Sequence, residues 1–91
     1  MKPNEPHPES IKIERVQTGV RIEKRLLKVL KAVAELKDRT LGDLLEGIVL
    51  HAFENKTPFS PETLTTIEKF KELYGLTLTA DQSHTFEEIE S

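Results

Sequence analysis

Residues 15–22, RVQTGVRI, alternate strictly. Val16, Thr18, Val20 and Ile22 fall on one side, and Arg15, Gln17, Gly19 and Arg21 on the other. A period of two is the signature of a half-buried β-strand. Immediately after Ile22 the apolar spacing lengthens to that of a helix. A strand must pair its backbone N–H and C=O groups, and no segment next to it in sequence carries a matching pattern. The partner therefore lies far along the same chain or in a second copy of it. A shorter alternating run through Ile11 and Ile13 is out of phase with the first, which predicts a bulge or break near residues 14–16.

Helical spacing takes over at about residue 23. Leu26, Leu27, Val29, Leu30, Val33, Ala34 and Leu36 form a wide apolar stripe over residues 23–36, with Lys24, Arg25, Lys28, Lys31 and Glu35 on the remaining face. Lys37, Asp38 and Arg39 make a short connection, and Asp38 suits the left-handed conformation that ends a helix. A second helix is predicted over residues 41–54. Thr40 is its N-cap, with Asp43 three positions later in the manner of a capping box. Leu41, Leu44, Leu45, Ile48, Val49, Leu50, Ala52 and Phe53 make it apolar around most of its circumference, which calls for cover on several sides.

The remainder is more polar. ENKTPFSPE reads as a linker, and Ser60-Pro61-Glu62 announces a third helix near residues 60–74. Leu64, Ile67, Phe70, Leu73 and Tyr74 form its stripe, and Gly75 ends it. Leu76, Leu78 and Ala80 alternate, which allows a short strand. Residues 1–10 hold three prolines and almost nothing apolar, and read as a flexible arm. The expected organisation is an arm over 1–10, a folded unit over 11–54 and an acidic extension over 55–91.

Composition narrows the function. The 91 residues contain no cysteine, which removes disulfides and thiolate metal sites. His7, His51 and His84 have no metal-ligand spacing, and His51 is expected at the surface or an interface. Neither a glycine-rich phosphate loop nor a nucleophile motif occurs, so neither a cofactor, a metal nor an enzymatic activity is expected. With no long apolar run and no leader-like start, a cytoplasmic protein without membrane contact is expected. The net charge of −3 is unevenly spread: residues 1–40 carry ten basic and six acidic side chains, and residues 41–91 carry three basic and ten acidic. The basic half can attract a polyanion despite the overall sign.

The order of strand, short helix, tight turn and short helix resembles the ribbon-helix-helix proteins, the Arc/MetJ/CopG superfamily. The residues that carry the likeness are TGVRIEKRLLKVLKAVAELKDRTLGDLLEGIVLHAF, within residues 15–53. The resemblance implies a mainly α fold of prokaryotic type: an intertwined homodimer with an intermolecular antiparallel two-stranded β-ribbon, here with an extra C-terminal helix. Val20, Ile22, Leu26, Leu30, Val33, Leu45 and Val49 would form the dimer core. It also implies a transcriptional regulator, a repressor, that places its ribbon in the major groove of double-stranded DNA.

Carried over by position, the base-reading residues are Gln17, Gly19 and Arg21. Arginine can grip guanine O6 and N7, and glutamine adenine N6 and N7, through paired hydrogen bonds. Gly19 is a silent position, and Thr18 stands where an apolar residue is expected. Thr40, Leu41 and Gly42 at the start of the second helix, together with Arg15, Lys24 and Arg25, are the expected phosphate contacts. Three alternatives stay open. Residues 15–22 can pair with 76–80 within one chain to give a small monomeric α+β domain. Residues 55–91 can bind a toxin protein, as the tails of many antitoxins in this family do, or dock on the folded unit instead. The fold can also serve dimerisation without DNA.

Overall fold

The computed structural model describes residues 10–89. Its elements are α1 (Lys24–Leu36), α2 (Leu41–Phe53), α3 (Pro61–Tyr74) and a single 3₁₀ turn over Ala80–Gln82. The three helices fall where the apolar spacing puts them. Each begins at a side chain that accepts an otherwise free backbone N–H: Glu23 from Leu26 for α1, Thr40 from Asp43 for α2 and Ser60 from Thr63 for α3. Pro61, in the first turn of α3, has no N–H to leave unpaired.

The exits share one design. A residue with positive φ turns the chain: Asp38 (55°), Asn55 (56°) and Gly75 (68°). The next N–H then reaches five residues back, from Arg39 to Ala34 (2.9 Å), Lys56 to His51 (2.8 Å) and Leu76 to Lys71 (2.8 Å). These are Schellman closures, which satisfy carbonyls the helix leaves free. The Asp38 and Gly75 stops agree with the sequence. Asn55 does the same in what reads as plain linker.

α1 is the hub. Val29, Val33 and Ala34 on α1 bury with Leu44 of α2 and Leu76 beyond α3, and Leu30, Ile48, Phe59, Ile67, Phe70 and Leu78 pack around them. α1 and α3 run antiparallel. Lys37 at the end of α1 donates to Thr63 Oγ1 near the start of α3 (2.7 Å), and Arg25 near the start of α1 donates to the Gly75 carbonyl at the end of α3 (3.2 Å). Thr63 is buried, and its hydroxyl oxygen also accepts from Ser60 (3.0 Å), so the polar atom is satisfied. The extension thus docks on the folded unit through α3.

The ribbon expectation is overturned. Among the described residues there is no β-strand, so no two-stranded ribbon is present, and neither is a pairing of 15–22 with 76–80. Alternation decides which side chains share a face. It does not supply a ladder partner. The internal candidate, residues 76–80, is held elsewhere: Leu76 is buried, Leu78 half-buried, and Ala80 begins the 3₁₀ turn. Gly19 further weakens any intrinsic strand tendency. With no strand at 11–22 there is also no bulge near residues 14–16.

The expected dimer core splits in the same way. Val33 is buried, and Leu30, Leu45 and Ile22 are half-buried. Val20, Leu26 and Val49 are exposed, and of α2 only Leu44 is buried. Thr18 is exposed, so its hydroxyl needs no internal partner. The predicted arm over 1–10 lies outside the described residues except for Ser10, which is exposed.

Leu44 is the only buried anchor of α2, so Leu44→Ala should cost about 2–4 kcal/mol of unfolding free energy. Chemical denaturation monitored by far-UV circular dichroism checks this. A loss under about 0.5 kcal/mol would mean that α2 does not depend on α1 for its stability.

Candidate nucleic-acid interface

The segment before α1, residues 10–23, has no regular secondary structure, and every residue from Ser10 to Arg21 is exposed. It carries the expected base-reading positions. Gln17 is exposed, and a Cβ added at Gly19 would meet nothing within 4 Å. Arg21 is largely in solvent but forms an ion pair with Glu88 near the far end of the chain.

The expected phosphate contacts fall into three situations. Lys24 is exposed at the start of α1. Arg25 is engaged in the fold: its Nε donates to Glu23 (3.1 Å) and its Nη1 to the Gly75 carbonyl. Arg15 crosses to α2, where Nε and Nη2 donate to the two Glu46 carboxylate oxygens (2.9 and 2.8 Å), with Asp43 at 3.9 Å. The Glu46 hydrogen bond, followed by the Glu46 charge, raises the Arg15 pKa further. The hydrogen bond from Arg15 likewise holds the Glu46 carboxyl below its ordinary value, against a smaller desolvation effect.

At the start of α2, Thr40 and Gly42 are exposed and Leu41 is half-buried. Nothing lies within 4 Å of a Cβ built on Gly42, so the first turn is sterically open. Thr40 Oγ1 accepts from Asp43 N (3.1 Å), as expected of the cap. Asp43 does not complete a capping box. Its carboxylate pairs instead with Arg39 (2.8 Å) and lies near Arg15. The helix terminus attracts an anion, while the carboxylates of Asp43 and Glu46 oppose that field.

Arg39, Glu46 and Glu88 also take part, and they differ in how far the sequence announces them. Arg39 to Asp43 is an i,i+4 pair and legible on helical spacing alone. Glu46 and Glu88 are 31 and 67 positions from the arginines they meet, and no local pattern announces them. His51 is half-buried, with Nδ1 2.6 Å from the Gly47 carbonyl, which places it on its own helix rather than in a site. Among the described residues, no group of three His, Cys, Asp or Glu side chains is placed to hold a metal ion, and no helix is long and apolar enough to cross a membrane. Comparison with protein-family models, curated proteins and solved structures gives no match for this chain.

The hinge between the lead-in segment and α1 is a titratable cap. The N–H of Leu26 is the main cause that lowers the Glu23 pKa; burial opposes it and Arg25 adds to it. A carboxyl whose folded pKa lies below its unfolded value stabilises fully above the unfolded value, and loses that contribution as pH falls through the folded one. Glu23→Ala should therefore destabilise the protein at neutral pH, by about 0.5–1 kcal/mol for a lost N-cap. The gap from wild type should close towards about pH 3, below the ordinary carboxylate range. Urea unfolding of both proteins at the two pH values is the check. A gap that does not change with pH would remove the ionised carboxylate from the cap.

Proposed function

We propose that this protein is a DNA-binding transcriptional regulator, a repressor acting in a prokaryotic cytoplasm as a homodimer. The observation that supports it most is the state of the segment before α1. Gln17 and Arg21 stand in solvent beside uncovered Val16 and Val20, which are 80% and 73% exposed. Polar groups suited to base edges and apolar groups in need of cover thus share one short stretch. Lys24, Lys28 and Lys31 on the exposed face of α1 continue the basic character of the first forty residues.

In this reading the irregular segment itself presents Gln17 and Arg21 to the major groove. Arg21 takes guanine O6 and N7, and Gln17 takes adenine N6 and N7. Lys24 and the open first turn of α2, at Thr40, Leu41 and Gly42, meet phosphates and set register without specifying sequence. Arg15 joins them once it leaves Glu46. A second copy covers Val16, Val20 and Leu26 and the bare face of α2, where Val49, Leu50 and Phe53 are exposed. A toxin-binding role for residues 55–91 has less support, because α3, Leu76 and Leu78 are committed to the core.

Fluorescence anisotropy tests the reading with duplex from immediately upstream of the coding sequence, a scrambled duplex and two salt concentrations. Wild type should prefer the upstream duplex. Arg21→Ala should weaken that binding by about 1–3 kcal/mol and relax the preference. Equal binding to both duplexes that vanishes with salt would reduce the interaction to phosphate attraction and end the repressor reading. Sedimentation equilibrium tests the second copy: wild type should run as a dimer and Val49→Asp as a monomer. A monomeric wild type would exclude the homodimer.

A further inference from the structure

The chain beyond α3 follows a defined path. Leu76 is buried against α1, and Leu78 packs beside it. Thr79 N donates to Gln82 Oε1 (2.9 Å), which closes the 3₁₀ turn, and Thr85 N donates to the Gln82 carbonyl (3.2 Å). His84 then redirects the chain with a φ of 70°. These turns bring Glu88 to the segment before α1, where it pairs with Arg21. Nothing in the core requires that pair. Arg21 and Glu88 are 83% and 64% exposed, so the contact adds little to stability. It does occupy the one arginine assigned here to a base edge.

We propose that the acidic end of the chain is an intramolecular competitor for DNA, with Glu88 covering Arg21 as a carboxylate stand-in for the nucleic acid. This inference rests on the DNA-binding reading and adds its regulation. The competitor is tethered, so it stays at high effective concentration whatever the protein concentration. An exposed pair of this kind is weak and screened by salt, so the cover lowers the affinity for any DNA that must claim Arg21, and does so most at low salt.

The test uses the full-length chain, the upstream and scrambled duplexes, and anisotropy at about 50 and 200 mM salt. Four proteins are compared with wild type: Glu88→Gln, Glu72→Gln, Arg21→Ala and Arg21→Ala/Glu88→Gln. Glu72→Gln makes the same charge change at an exposed position of α3, and circular dichroism confirms that each variant is folded. Glu88→Gln should bind about two- to fivefold tighter than wild type at low salt, the range open to an exposed ion pair. The gain should exceed that of Glu72→Gln, be at least as large on the upstream duplex as on the scrambled one, shrink at high salt and vanish in the Arg21→Ala background. Equal gains for Glu88→Gln and Glu72→Gln, or a gain that survives without Arg21, would show general charge repulsion and overturn the competitor while the DNA-binding reading stands. If neither wild type nor any variant binds either duplex, the DNA-binding reading fails and the competitor with it.

Discussion

Burial of one face of α1 is the constraint on which everything else depends. Val29, Val33 and Ala34 meet Leu44 from one neighbour and Leu76 from beyond the other. α2 and α3 are both held through this hub. Among the described residues the buried apolar cluster has five members, which is small and leaves little apolar burial to offset chain entropy. Local devices make up part of the difference. Three side-chain caps and three left-handed exits fix where each helix starts and stops, and Lys37 and Arg25 tie the two ends of α1 to the two ends of α3. Each adds about a kilocalorie per mole or less, but together they define one arrangement of the helices.

The helices were legible because their information is local. Apolar spacing marks the stripe, Thr40 and Ser60 mark starts, and Asp38 and Gly75 mark stops. Residues 15–22 show the limit of such reading. Their alternation is as regular as that of any strand, yet the property that makes a strand is a ladder with another segment, and that is not local. The apolar character of α2 is open-ended in a related way. It states a need for cover: within the described residues Leu44 is buried and Ile48 packs against the core, while Val49, Leu50 and Phe53 stay exposed. Residues 15–22 fail the strand expectation, and α2 forms as expected without showing its cover, for one reason: each describes a surface, and a surface does not name what lies against it.

The charge asymmetry is more informative in space than along the chain. The basic half and the acidic half do not sit apart. Arg15 is gripped by Glu46 with Asp43 close by, Arg39 by Asp43, and Arg21 by Glu88. All three arginines are exposed enough for water and salt to keep these pairs weak. The acidic half thus lowers the free positive potential of the segment before α1 without locking it. This also accounts for the awkward position of Asp43, three residues into α2. As a cap partner it is incomplete, but as the acceptor of Arg39 and a near neighbour of Arg15 it holds two cations beside the first turn of α2.

A polyanion reaching this surface would meet cations already partnered, and each contact would be an exchange rather than a gain. The energy available from an exchange is the difference between two charge-assisted interactions, so it is sensitive to geometry. A phosphate replacing a carboxylate at Arg15 gains little beyond the added charge. A guanine edge replacing Glu88 at Arg21 trades an exposed ion pair for two directed hydrogen bonds in a groove from which water is partly excluded. A weakly partnered surface of this kind lowers the attraction to every duplex by the cost of release, and leaves the difference that depends on base identity intact. Net acidity and a role in DNA recognition are then compatible, provided that the carboxylates sit on the same arginines that the nucleic acid must claim.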